Sequence, residues 1–273
     1  MEALLNGFSE SVPQSDSEYI GEDGLLHCSI CHQKTERIAC IPSLGINRKV
    51  RCICDCKRKE NEAHDERKRQ EEFDRQRRIC FAETNMANWN FQNDDRRNAR
   101  LSDAMKNYAN NFMEFRKDGQ GLLLYGTVGT GKTYYAACIA NALIDTGFTV
   151  KMTNFMQILN RLQDLKENKQ QFIDGLNRYS LLIIDDLGAE RSTEFAQEQV
   201  FNVIDARYRS GLPFIITTNL TAEELKKPQD VGYSRIYDRI LERCHPVAVT
   251  GASRRRQNVK EGFAEMQAKL GLN

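Results

Sequence analysis

Gly126-Thr127-Val128-Gly129-Thr130-Gly131-Lys132-Thr133 satisfies the pattern G-x-x-x-x-G-K-[ST] at every fixed position. The flanks are the ones such a loop needs. An apolar run, Leu122–Tyr125, precedes it, and a helix-like run, Tyr134–Leu143, follows. A strand feeding a glycine-rich turn that opens a helix aims backbone N–H groups at phosphate oxygens, and the helix N-terminus adds its positive end. Lys132, on a surface loop, then reaches the outer phosphates, and the Thr133 hydroxyl is placed for magnesium. The expected ligand of Gly126 to Thr133 is ATP with magnesium. A glycine turn without a ligand would need neither flank.

Downstream, Leu181-Leu-Ile-Ile-Asp185-Asp186 reads as an apolar strand ending in two carboxylates. In phosphate-loop ATPases such a strand lies beside the loop and its first acid holds magnesium. Asp185 takes that role here, and Asp186 is the candidate base for the attacking water. A pair that merely caps the turn at Leu187-Gly188 is the bland alternative, and the upstream loop argues against it. Phe214-Ile-Ile-Thr-Thr-Asn219 is a second buried-looking strand with a polar end. Asn219 is placed to orient the hydrolytic water, although Asn at a strand end also serves turn chemistry. Ser234–Ile240 reads as a helix with Arg235 and Arg239 on one side. An arginine there can act as a finger on a neighbouring subunit's ATP, or be solvated surface. Ser253-Arg-Arg-Arg256 adds another cationic cluster.

Around these motifs the chain alternates helix-length segments with short apolar runs at Leu122–Tyr125, Phe148–Met152, Leu181–Ile184 and Phe214–Thr217. That alternation predicts an α/β fold with a parallel sheet between helices. Arg96–Lys117 carries Leu101, Met105, Tyr108, Phe112 and Phe115 at helical spacing and is expected to be one helix. Upstream, residues 57–80 are mostly charged and free of Pro and Gly. Acids stand four residues before bases, as in Asp65–Arg69 and Glu71–Arg75, which predicts a solvated helical linker.

Six of the nine cysteines fall between Cys28 and Cys56. Cys28-Ser-Ile-Cys31 forms one knuckle, and Cys52-Ile-Cys54-Asp-Cys56 offers three candidates for two further places. Two ligands from each end make a tetrahedral four-sulfur zinc site, which staples a segment too small for its own core. Cys40 is a weaker candidate, and His27 and His32 flank the first knuckle and can substitute. The basic flanks Arg48-Lys-Val-Arg51 and Lys57-Arg-Lys59 suit phosphate contact.

The ordered set GTVGTGKT, LLIIDDLGAE, FIITTNL and SRIYDRI, behind a Cys-rich N-terminus, resembles the DnaC/DnaI-type bacterial and phage replicative helicase loaders. These are AAA+ ATPases of the branch that includes the IstB-type transposase helpers. The resemblance covers roughly residues 80–260. It implies an AAA+ phosphate-loop ATPase core with a small N-terminal zinc-binding module and a helical linker. Lys132, Thr133, Asp185 and Asp186 keep the nucleotide roles above, and Asn219 corresponds to the sensor 1 residue. Arg239 fits the arginine finger better than Arg235, and the sensor 2 arginine falls in the Ser253–Arg256 run, with Arg255 preferred. Most AAA+ relatives carry Glu where Asp186 stands, so slow, partner-stimulated hydrolysis is expected.

The expected organisation is a disordered tail at 1–20, a zinc-binding module at 21–56, the linker at 57–80, the ATPase domain at 81–262 and a tail at 263–273. Implied partners are a replicative DnaB-type helicase, single-stranded DNA and further copies of the chain in the ATP state. Two rivals stay open: an IstB-type transposase helper on duplex DNA, and a zinc-dependent DNA-binding adaptor whose ATP site is a non-hydrolysing switch. Formal net charge is only +1, from 39 basic and 38 acidic residues, which argues against a chain that coats nucleic acid along its length. No apolar run approaches the roughly 18–20 residues that cross a bilayer, and the polar, acidic start lacks the form of a secretory signal. No membrane contact and a cytoplasmic location are expected.

Overall fold

The computed structural model describes residues 11–13, 17–41, 46–82, 84–165, 167–189, 193–228, 230–254, 263 and 266–272. The chain divides into two compact units, residues 1–72 and 73–273.

The first unit is built from short antiparallel ribbons. Strand β1 (Glu18–Ile20) pairs with β2 (Leu26–Cys28), and β3 (Glu36–Ile41) pairs with β4 (Ile46–Arg51). The expectation of a disordered tail through residue 20 is corrected at its end, because Glu18 to Ile20 are hydrogen-bonded to β2. Arg51 supports this by pairing with Glu18 at 2.7 Å. Helix α1 (Asp55–Phe81) follows. Residues 57–72 are exposed along it, with pairs such as Lys57–Glu60 at 2.9 Å, as a solvated charged helix requires.

The second unit begins inside α1 rather than at residue 81. Phe73, Cys80 and Phe81 pack into its core, so the last turns of the expected linker belong to the ATPase unit. Lys151 donates to the Ile79 carbonyl at 2.7 Å, and Arg77 pairs with Asp145. A single 3-10 turn at Asn85–Asn88 leads to α2 (Ala99–Asn110) and α3 (Phe112–Lys117). The single helix expected over 96–117 is thus two. Arg96 sits at φ 51°, outside the helical region, Asn98 caps α2 by accepting from the Leu101 N–H, and Asn111 breaks the run.

The remaining elements are β5 (Gly121–Tyr125), α4 (Lys132–Asp145), β6 (Val150–Asn154), α5 (Phe155–Asp164) and α6 (Lys169–Leu176). They continue as β7 (Leu181–Leu187), α7 (Glu194–Ser210), β8 (Phe214–Thr218), α8 (Ala222–Lys226), α9 (Val231–Arg243) and β9 (Cys244–Ala248). The five strands form one parallel sheet in the order β6-β7-β8-β5-β9. Strand β9 has no forerunner in the sequence reading. Its Pro246 lacks an N–H, which an edge strand tolerates.

Alternate strand residues bury on opposite faces. Leu122, Leu124, Leu181, Ile183 and Ile215 join one core with α2 and α4. Leu123, Leu182, Ile184, Phe214 and Ile216 join the other with α5, α7 and α9. Arg207 of α7 is fully buried and donates to the carbonyls of Leu176, Tyr179, Ser180 and Pro213, which ties the entrances of β7 and β8 together. Burial pulls its pKa down to about 9. Among the described residues no helix is long and apolar enough to cross a membrane.

Candidate nucleotide site and cysteine cluster

The phosphate loop leaves the C-terminal end of β5 and enters α4 at Lys132. Gly126 holds φ 144°, and a Cβ there would collide with the Val249 carbonyl, so both conformation and space demand glycine. Lys132 is not at an open surface as its loop suggests. It is 5% exposed, and its ammonium donates to Gly126 O at 2.8 Å, Thr127 O at 2.9 Å and Asn219 Oδ1 at 2.8 Å.

The acidic strand is not the immediate neighbour of the phosphate-loop strand. Strand β8 lies between them. Asp185 nevertheless meets Thr133, whose hydroxyl donates to its carboxylate at 3.0 Å. The intervening strand permits this because its penultimate residue is the small, fully buried Thr217. Thr217 donates to Asp185 Oδ1 at 2.6 Å and accepts from the Asp186 N–H at 2.9 Å. Burial raises the Asp185 pKa; Asp186 pushes the same way, while the Thr217 and Thr133 hydroxyls and Lys132 oppose it.

Consecutive residues of a regular strand point to opposite faces. The ladder between β7 and β8 shifts register between Ile184 and Leu187, and Asp186 takes a left-handed φ of 55°. This bulge re-aims the second acid. Asp186 lines the same cleft as Lys132, Thr133 and Asn219, with the Asn219 amide 3.5 Å from its carboxylate.

That cleft has a volume of about 390 Å³. Its far wall comes from residues that carried no motif. Trp89 lies with its ring 5.8 Å from that of Tyr134, and the Tyr134 hydroxyl donates to Asn90 O at 2.9 Å. Arg254 also faces the cleft, its backbone N–H bonded to Gly129 O at 2.9 Å. Arg255, the arginine preferred from the sequence, lies outside the described residues. Val128, Gly129 and Gly131 line the cleft, while the Thr130 hydroxyl turns back to Thr127 O at 3.0 Å.

Arg239, preferred over Arg235 as the finger, and Arg235 differ in their surroundings. Arg239 donates to Asp205 at 2.9 Å and to Arg235 O at 3.2 Å, and its guanidinium lies 4.7 Å from the Phe201 ring centroid. These partners all belong to the same chain. Arg235, one turn earlier on α9, is exposed.

In the first unit, Cys28, Cys31, Cys54 and Cys56 bring their sulfurs within 4.8 Å of one another. A tetrahedral zinc with bonds of about 2.3 Å sets its sulfurs roughly 3.8 Å apart, so the four thiols fit that ion. The backbone N–H groups of Cys31 and Ile30 lower the pKa of the Cys28 thiol, while the thiols of Cys54, Cys28 and Cys31 around Cys56 raise that of Cys56, so the four sulfurs share their protons. Cys52 is corrected out of this group: its thiol faces the Lys34 carbonyl at 3.4 Å. Cys40 is exposed. His27 is bound to Asp23 at 3.0 Å, and His32 contacts the Tyr19 hydroxyl at 3.2 Å. The C-x-C-x-C spacing did not reveal which two cysteines join, because all three are close in sequence and only the turn into α1 separates them.

The IstB-like ATP binding protein family matches residues 55–262. The replicative helicase loader DnaI of Bacillus subtilis is 31% identical over 151 residues, covering 50% of this chain and 48% of that protein. The replicative helicase loader DnaC of Escherichia coli is 28% identical over 118 residues, covering 42% of this chain and 48% of that protein. A Sinorhizobium fredii protein described as an insertion-sequence ATP-binding protein is 29% identical over 147 residues, covering 52% of this chain and 49% of that protein. The chain thus spans about half the length of the curated relatives it matches. A crystal structure of DnaI aligns at TM-score 0.56 and 24% identity, covering 66% of this chain and 99% of that one. One of the DnaC helicase loader aligns at 0.53 and 24%, covering 60% and 98%. These two show the shared fold, a parallel sheet between helices. With a family match across most of its length and the family's phosphate loop and acidic strand meeting at one cleft, the chain belongs to the IstB-like ATP binding proteins.

Proposed function

We propose that this protein is an ATPase that loads a replicative DnaB-type helicase onto single-stranded DNA. One observation carries the proposal: Lys132, Thr133, Asp185, Asp186 and Asn219 converge at one cleft in a chain whose relatives include helicase loaders. ATP sits with its phosphates on the backbone of Gly126 to Thr133. Lys132 exchanges its loop carbonyls for the outer phosphates, and Asn219 and Asp186 face the space where water attacks. Thr133 and Asp185 would hold magnesium, which would neutralise phosphate charge. Hydrolysis is slow, because Asp186 reaches less far than Glu. Copies of the chain assemble in the ATP state, with an arginine of α9 reaching the neighbouring site. Single-stranded DNA and ATP favour the same assembled form, and nucleotide state times release. The protein works in the cytoplasm, away from membranes.

The cysteine cluster supports a zinc module that docks the helicase. Zinc held by Cys28, Cys31, Cys54 and Cys56 ties the β2 turn to the start of α1, replacing the core that so small a unit lacks.

The insertion-sequence relative and the family match favour a second reading, a transposase helper acting on duplex DNA. Capture experiments separate the two. The full chain should retain its host's replicative helicase, with retention altered by ATP and abolished by chelation. Retention of a transposase and no helicase would favour the second reading, and retention of neither would remove both.

A further inference from the structure

Two acids outside every motif flank the arginine that faces the cleft. Asp94 and Asp95 lie just before α2, and each meets Arg254. Arg254 Nη2 is 3.0 Å from Asp95 Oδ1, and its Nη1 is 3.7 Å from Asp94 Oδ1. The Asp94 side chain has no exposure. Its Oδ2 accepts from the Ser102 hydroxyl, but its buried Oδ1 has no hydrogen-bond partner among the described residues. A buried carboxylate oxygen without a donor depends on a nearby cation, and Arg254 is the cation in place.

The guanidinium is confined on its other sides as well. It lies 5.8 Å from the ring centroids of both Tyr134 and Tyr135. Its residue rests on the phosphate loop: the Arg254 N–H bonds to Gly129 O, and a Cβ on Gly129 would collide with the Ser253 hydroxyl. Arg254 is therefore held by the loop, by two aromatic rings and by two carboxylates.

We propose that Asp94, assisted by Asp95, is a positioning residue for triphosphate recognition. The pair holds the Arg254 guanidinium at the cleft so that it meets the outermost phosphate already ordered. The inference rests on the reading of this cleft as an ATP site. Ordering in advance removes the cost of immobilising a long side chain on binding. The benefit then falls on the nucleotide that carries the third phosphate.

Calorimetric titration of the full chain with magnesium-ATP and magnesium-ADP tests this. The variants are Asp94→Asn, Asp95→Asn, Arg254→Ala and the Asp94→Asn/Arg254→Ala pair, each checked for folding by thermal melting. Asp94→Asn and Arg254→Ala should each weaken ATP about tenfold more than ADP, and the pair should be no worse than Arg254→Ala alone. Should Asp94→Asn fail to fold, the half-exposed Asp95→Asn decides by the same ATP-to-ADP ratio. Equal weakening of both nucleotides, or losses that add in the double variant, would overturn the proposal and leave Asp94 a structural residue of its segment. If the wild-type chain binds neither nucleotide, the ATP reading of the cleft falls, and this inference with it.

Discussion

The Lys132 ammonium and Asn219 Oδ1 are joined by a 2.8 Å hydrogen bond, which ties the phosphate loop to the end of β8. Asn219 also has its amide 3.5 Å from Asp186. It therefore stands between Lys132 and Asp186, the groups proposed to meet phosphate and water. Asn219→Ala should leave ATP affinity within about threefold while lowering turnover on the order of a hundredfold, as removal of an oriented polar group at a reacting centre does. Steady-state hydrolysis beside equilibrium binding reads both numbers. Unchanged turnover would reduce Asn219 to a resting place for Lys132.

Asp185 gives a pH-dependent test. Burial raises its folded-state pKa above the unfolded value. An acid shifted upward binds more protons folded than unfolded between the two pKa values. Its charge therefore costs stability above that window and nothing below it. Asp185→Asn should raise the melting midpoint of the ligand-free protein at pH 7, on the order of a few degrees. The difference from wild type should close as the pH falls to about 3, below the ordinary carboxylate range. A gain that persists in acid, or no gain at neutral pH, contradicts the assigned burial.

The cysteine cluster separates two neighbouring thiols. Protein purified without chelator should carry about one zinc per chain. Cys54→Ser should lose it and loosen the first unit, because ligation supplies much of a small module's folding energy. Cys52→Ser should keep it. Metal analysis of the two variants suffices. Zinc retained by Cys54→Ser and lost by Cys52→Ser would reverse the ligand assignment.

Arg235 and Arg239 are distinguished by mixing. Arg235→Ala should bind ATP normally as an isolated subunit but lower turnover in the assembly by on the order of a thousandfold. Blending it with Asp186→Ala should recover activity, since a mixed interface pairs an intact Asp186 with an intact Arg235. Arg239→Ala should instead lower the melting midpoint by removing its bond to Asp205. Recovery on mixing for Arg239→Ala but not for Arg235→Ala would assign the finger to Arg239.

The sequence made the phosphate loop, both acids, Asn219 and four of the sheet strands legible, because each couples a periodic apolar run to a polar end. It did not reveal β9, whose Cys-His-Pro-Val-Ala is short, carries a proline and is half exposed at the sheet edge. Nor did it reveal that β8 separates β5 from β7, since strand order depends on crossovers that leave no local signal. Thr217 was visible only as one of two threonines, and its grip on both acids depends on that strand order. The far wall of the cleft was illegible for a related reason. Trp89 and Asp95 precede α2 in a stretch without periodicity, and Arg254, visible in the sequence only as one of the Ser253–Arg256 cluster, joins them after β9 returns to β5. The end of α1 was misread because its last turns remain highly charged, while Phe73, Cys80 and Phe81 alone carry the buried face.

The most direct test of the central claim is an equilibrium titration of magnesium-ATP against the wild-type chain and Lys132→Ala. The wild type should bind at a single site. Lys132→Ala should lose about a hundredfold or more in affinity, because it removes the ammonium that meets the outer phosphates, with its two-unit fold retained by circular dichroism. Equal affinity in the two proteins would contradict the assignment of this cleft to ATP.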